Sequence, residues 1–97
     1  MYPQEIERVI GEVAGVWECA VVGVPDEEFG ERAVAFVVPA RNRGDAPQPL
    51  FAAIEEYVRQ HLGRLKRPSE IRFIDALPRS PTGKVLRRAL REILKTP

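Results

Sequence analysis

Two apolar runs limit what this chain can fold into. "VWECAVVGV" at 16–24 and "RAVAFVVP" at 32–39 are rich in β-branched and aromatic residues, with "PDEEFGE" between them. Such runs read as strands buried on both faces. Pro, Asp and Gly mark the segment between them as a turn. A connection that short favours an antiparallel pair. Trp17 opens the first strand and is expected in the core, with Cys19 as a buried small hydrophobe beside it.

Helices flank this pair. Residues 3–14, "PQEIERVIGEVA", place Ile6, Val9, Ile10 and Val13 at helical spacing, with Glu5, Glu7, Arg8 and Glu12 outward. Pro3 suits the first turn and Gly15 the stop. A polar loop, "ARNRGDAPQ", leads to "PLFAAIEEYVRQHL" at 49–62, where Leu50, Ile54, Tyr57, Val58 and Leu62 form one stripe. Asp45 with Gln48 resembles a capping box, and Gln48 ahead of Pro49 is the competing start. Gly63 ends this helix, and "EIRFID" at 70–75 reads as a third strand. After the loop "ALPRSPTG", residues 85–95 form a last helix with Val85, Leu86, Ala89, Leu90, Ile93 and Leu94 inward. The order is α-β-β-α-β-loop-α: an α+β fold, one domain over 1–97, with helices packed on a small sheet of about three strands.

Charge is divided along the chain. Residues 1–60 carry five Lys/Arg against eleven Asp/Glu, or −6, and residues 61–97 carry ten against three, or +7. The C-terminal third is therefore suited to an anionic partner, unless the two halves neutralise each other across the fold. Arg87, Arg88, Arg91 and Lys95 make a basic face on the last helix, and a solvated face is the ordinary outcome for such a run. Nucleic acid is disfavoured, because helix-turn-helix spacing is missing and the basic stretch has few aromatics for stacking. No apolar run approaches the roughly 18–20 residues of a membrane span. The lone cysteine excludes an internal disulfide and suits a reducing cytoplasm. His61 finds no Cys or His cluster for a metal and no Ser-His-Asp set, so a surface role at a helix end is expected.

"RSPTGKVLRR" at 79–88 carries more than a solvated helix needs. Gly83 permits a positive φ or close backbone approach. Pro78 and Pro81 restrict the loop before folding and lower the entropic cost of fixing Lys84. Lysine is a compact charge on a long stem, suited to phosphate oxygens. A P-loop is excluded, since Val85 follows the lysine and no glycine lies five residues before Gly83.

With "YPQEIERVI", "VVGVPDEEFGERAVAFVV" and "LKRPSEIRFIDALPRSPTGKVLRRAL", the chain resembles the small C-terminal domain of the adenylate-forming ligases, and acyl-CoA synthetases most. That group also contains firefly-type luciferases and peptide-synthetase adenylation domains. The family's pattern P-x-x-x-x-G-K-x-x-R falls on Pro78, Gly83, Lys84 and Arg87. The resemblance implies a two-step reaction: ATP and a carboxylic acid give an acyl-adenylate and pyrophosphate, then a thiol such as coenzyme A displaces AMP. It implies that a larger N-terminal domain binds the acid, ATP and Mg2+, and that this domain is a swinging lid. In one pose Lys84 would reach the carboxylate and α-phosphate, with Gly83 and Arg87 beside the nucleotide. In the other, Lys66 and Arg67 would meet the phosphates of coenzyme A, although Leu65 stands where family members often carry an aromatic ring.

The large domain and its hinge are absent from the chain, which is therefore expected to be an excised lid, inactive alone, rather than a stand-alone lid-like protein. Its implied partners are that N-terminal domain, the acid, ATP and coenzyme A. A lysine acetyltransferase and a deacetylase acting on Lys84 are implied as regulators. Two alternatives remain open: the lid of a peptide-synthetase adenylation domain acting on a carrier protein, and a non-catalytic basic binding module. Thr-Gly-Lys-Val, rather than Asn-Gly-Lys with an acidic residue, favours coenzyme A over the carrier protein.

Overall fold

The computed structural model describes residues 3–28, 30–40 and 47–95. Asp45, one candidate cap of the second helix, and Phe29 of the first turn lie outside the described residues. The elements run α1 (Pro3–Gly11), β1 (Val16–Asp26), β2 (Gly30–Pro39), α2 (Pro47–His61), a 3-10 turn (Arg64–Lys66), β3 (Glu70–Phe73) and α3 (Arg87–Lys95). The fold is the α+β arrangement expected, in the expected order.

β2 is the central strand of the order β1-β2-β3. It pairs antiparallel with β1, from Val16↔Pro39 to Asp26↔Gly30. With β3 it pairs parallel, from Val34↔Glu70 to Val37↔Phe73. The sequence left the direction of the third strand open. The structure makes α2 the crossover that a parallel partner requires.

Alternation along β2 divides the core into two layers, because successive side chains of a strand face opposite ways. Ala33, Ala35 and Val37 pack with Ile6, Val9, Ile10 and Val13 and with Ile54, Val58 and Leu62 of the α2 segment. Val34, Phe36 and Val38 pack on the other face with Leu77 and Leu90. Leu90 is the fully buried anchor of α3. Its truncation to Ala would cost about 2–5 kcal/mol and loosen the helix that follows Lys84.

Several expectations need correction: the second helix begins at Pro47 rather than at 49, and the third strand ends at Phe73 rather than at 75. The first helix stops at Gly11 rather than continuing to 14; the Glu12 and Val13 amides instead donate to the Val9 and Ile10 carbonyls at 3.1 and 3.0 Å, a tighter i→i+3 pattern. Val13 is still buried, and Gly15 turns the chain with φ 100°. The last helix begins at Arg87, not 85, because Val85 forms an isolated bridge with Arg79. Leu86 and Ile93 are exposed rather than inward. A nine-residue helix with one fully buried position rests on the sheet along a narrow line, and these two lie off it.

Trp17 is 72% exposed rather than in the core. The β1–β2 register slips between Val16 and Glu18, so Trp17 is the extra residue of a bulge. A bulge leaves its extra residue unpaired and re-aims the side chain. Cys19, by contrast, is half-buried against the α1/α2 layer, as a small hydrophobe should be. His61 is exposed at the end of α2. Its ring stacks on Tyr57 with centroids 3.9 Å apart, and its Nδ1 donates to the Tyr57 carbonyl at 2.9 Å.

Candidate functional site

Beyond β3 the Ile74 amide donates to the Val37 carbonyl at 3.0 Å, and Leu77 is buried under the sheet. The segment from Pro78 to Leu86 then leaves the domain and returns. It is closed at its base by the Leu86 amide on the Pro78 carbonyl at 2.9 Å, and above that by the Arg79–Val85 bridge. At its tip the Gly83 amide donates to the Ser80 carbonyl at 2.9 Å, and the Ser80 amide donates to the Lys84 carbonyl at 2.8 Å. Ser80 Oγ lies 2.8 Å from Thr82 Oγ1 and accepts the Lys84 amide at 3.2 Å. Proline at 78 and 81 suits so closed a turn by narrowing the unfolded alternatives.

Gly83 has φ 90°, and a Cβ built there would meet nothing within 4 Å. The sign of its backbone angle therefore requires glycine, while crowding within the domain does not.

The loop thus fixes the backbone of Lys84 and leaves the side chain out. Lys84 is exposed, and among the described residues its ammonium has no hydrogen bond or ion pair. Arg88 and Arg64 are likewise exposed cations without one.

The other candidates are differently placed. Arg87 opens α3, and its Nη2 donates to Glu7 Oε2 at 2.8 Å. Glu7, expected to face outward, instead ties α1 to both β1 and α3. Lys66 lies on the 3-10 turn, with Nζ 3.4 Å from Glu5 Oε2. Arg67 caps the C-terminal end of α2, donating Nε to the Leu62 carbonyl at 3.1 Å and Nη2 to the Arg59 carbonyl at 3.4 Å. A helix leaves its last carbonyls unsatisfied, and a guanidinium fork answers two of them. Leu65 beside them is 98% exposed. The structure therefore brings Lys84, Gly83 and Arg87 to one loop–helix junction and Lys66 with Arg67 to another. Both junctions touch α1, one at Glu7 and the other at Glu5.

The charge division along the chain is partly answered inside the fold. Glu5, Glu7 and Glu18 of the acidic part pair with Lys66, Arg87 and Arg79 of the basic part. Arg91 Nε donates to the Gly23 carbonyl at 3.0 Å, and Lys95 lies 3.5 Å from Glu92. The basic face of α3 is thus only partly free, with Arg88 its clearest open member. Among the described residues no polar or charged side chain is fully buried, so the chemistry available is what the surface presents.

Sequence reasoning missed Arg79, Ser80, Glu7 and Glu18 as parts of the site. Ser80 carried a local signal, since a serine two residues before a threonine and glycine is a turn former. The pairings of Arg79 with Glu18 and of Arg87 with Glu7 span 61 and 80 positions, and no local pattern announces them.

Residues 5–84 match the family described as AMP-binding enzyme C-terminal domain. The chain is 48% identical over 92 residues to long-chain-fatty-acid–CoA ligase FadD13 of Mycobacterium tuberculosis, covering 95% of this chain and 17% of that protein. It is 44% identical to fatty acid–[acyl-carrier-protein] ligase ScoC of Streptomyces coeruleorubidus, with the same two coverages, 95% and 17%. The crystal structure of ATP-bound MatB from Rhodopseudomonas palustris superposes with TM-score 0.85 at 37% identity, covering 99% of this chain and 18% of that one. The chain thus spans less than a fifth of the length of the relatives it matches.

Proposed function

From a chain that belongs to the AMP-binding enzyme C-terminal domain family, we infer the mobile C-terminal lid of an AMP-forming acid–thiol ligase, with coenzyme A as the acceptor and Lys84 as the adenylation lysine. One observation carries this reading: the backbone of Lys84 is fixed by its loop while its ammonium is exposed and, among the described residues, unpaired. A structural lysine is normally the reverse, with a partnered head.

In the first half-reaction a carboxylate oxygen attacks the α-phosphorus of ATP. The bond to the bridging oxygen breaks, and pyrophosphate leaves with that electron pair. Negative charge crowds the incoming carboxylate and the phosphoryl oxygens together, and a preorganised ammonium lowers the energy of that arrangement. Mg2+ would supply neutralising charge at the triphosphate, and we assign it, with most of the ATP, to the large N-terminal domain. In the second half-reaction the thiol attacks the acyl carbonyl and AMP departs, after the lid has turned to offer its other face.

On that face Lys66 has a charge to offer phosphates, with a rim carboxylate as its competitor. Arg67 would have to release two carbonyls to do the same. Leu65 provides exposed apolar surface but no ring to stack on adenine. A carrier protein as acceptor is therefore the second reading, favoured by that substitution and by the likeness to an acyl-carrier-protein ligase. The polyanion-binding module is weakened by the internal pairing of most of the basic residues. We place the reaction in the cytoplasm, which suits the lone free thiol; no described helix is long and apolar enough to cross a membrane. Acetylation of the exposed Lys84 by a lysine acetyltransferase would cancel its charge, and a deacetylase would restore it.

The test joins this domain to its N-terminal partner and changes Lys84 to Ala. Pyrophosphate exchange should fall about 10²–10³-fold, the usual cost of one lost transition-state contact. Thioester formation from supplied acyl-adenylate should survive. Equal loss of the two half-reactions would refute the assignment of Lys84 to adenylation.

A further inference from the structure

We propose that Arg79 is a positioning residue for Lys84, holding the peptide unit that carries it in register with the sheet; the inference rests on the reading of Lys84 as the adenylation lysine. The Gly83–Lys84 peptide is held at both of its polar atoms by side chains. Its oxygen, on Gly83, accepts Arg79 Nη1 at 2.7 Å. Its nitrogen, on Lys84, donates to Ser80 Oγ at 3.2 Å. The serine is part of the same loop and moves with it. The arginine is not so confined, because its Nη2 also pairs with Glu18 on β1.

Glu18 stands where the bulge at Trp17 resets the β1–β2 register, opposite Val38 of the central strand. Arg79 therefore links the peptide preceding Lys84 to the sheet, across 61 positions of sequence. Guanidinium is suited to this, since its planar fork presents two donors in fixed relation. An ammonium on a long flexible stem gains most from a fixed point of attachment. Arg79 touches no reacting atom, so its whole effect passes through the orientation of Lys84. An ångström of misplacement in such a group is enough to cost about a hundredfold in rate.

The experiment uses the full-length ligase that carries this domain, with Lys84→Ala as the reference. Arg79→Met should lower the turnover of pyrophosphate exchange about tenfold to a hundredfold, with the KM for ATP little changed and thioester formation from supplied acyl-adenylate intact. Arg79→Lys, whose single ammonium meets one partner at a time, should fall between. In Glu18→Arg with Arg79→Glu the ion pair is reversed, but a carboxylate cannot donate to the Gly83 carbonyl. That double variant should recover the melting temperature lost by Arg79→Glu alone and not recover exchange.

Wild-type exchange in Arg79→Met, while Lys84→Ala collapses, would overturn the positioning role. So would parallel loss of both half-reactions in step with melting temperature, which is the mark of mere support for the fold. If Arg79→Met does not fold, Arg79→Lys decides: slower exchange with unchanged thioester formation supports the role, and unchanged exchange overturns it. Normal exchange in Lys84→Ala would instead bring down the adenylation reading, and this inference with it.

Discussion

Arg87 Nη2 lies 2.8 Å from Glu7 Oε2, and the same carboxylate oxygen accepts the Val21 amide at 2.7 Å. One carboxylate thus joins the start of α3 to α1 and to the outer edge of β1. The edge of a sheet presents unpaired amides, and Glu7 covers one of them. Removing the acceptor should cost more than removing the cation. Glu7→Ala should lower stability by about 1–3 kcal/mol. Arg87→Ala, whose side chain is 37% exposed, should cost about 0.2–1 kcal/mol. Urea unfolding of the two variants checks the order.

Cys19 should be chemically quiet in the folded protein. Burial, and then the negative charge of Glu7, push its thiol up to about 12, against a smaller opposing effect of Arg87. The thiolate is the reactive form, so near neutral pH the native protein holds almost none of it. Alkylation should be slow and should accelerate in step with the unfolded fraction as urea is raised. Rapid labelling of the native protein would contradict this.

Glu70 should contribute a small acid-sensitive increment of stability. The Arg72 guanidinium hydrogen-bonded to it holds its carboxyl below the ordinary value; burial opposes this, and Arg32 adds a weaker pull from 3.5 Å. Because the folded pKa is the lower one, the unfolded chain binds more protons on the acid side. The increment is complete above the ordinary carboxylate pKa and is lost as pH falls through the folded one. Glu70→Gln should flatten this part of the acid limb and cost under about 1 kcal/mol at neutral pH, since the group is about one-third exposed. Thermal melts across the acid range measure it.

Trp17 is the single tryptophan of the chain and is 72% exposed. Its fluorescence should therefore shift little toward longer wavelength on unfolding. Trp17→Ser should change stability by no more than about 0.5 kcal/mol. A large red shift would mean that the indole is covered in solution.

How far the sequence could be read depended on the range of each interaction. Ile6, Val9, Ile10 and Val13 repeat with the helical period, and all four are buried. Ala33 to Val38 form one apolar run, and every member is buried, alternately in the two layers. The closed loop before Lys84 was visible in its prolines and glycine, because those residues act on their own backbone. Trp17 misled because a one-residue bulge arises from the register of two strands and not from the composition of either. Leu86 and Ile93 misled because a helical stripe says which residues are apolar and not how wide a surface awaits them.

The amino-acid order by itself determined the element types, their succession and the identity of the one lysine set behind a stiff turn, since all of these follow from neighbours within a few positions. Tertiary structure alone decided the parallel pairing of β3 and the use of Arg67 and Arg87 as internal ties. It also decided the attachment of Arg79 to Glu18, while Lys84 was left unpaired among the described residues. Ion pairs among many similar charges have no local preference for one partner over another. They are chosen only when the packing of helices on the sheet brings particular residues together.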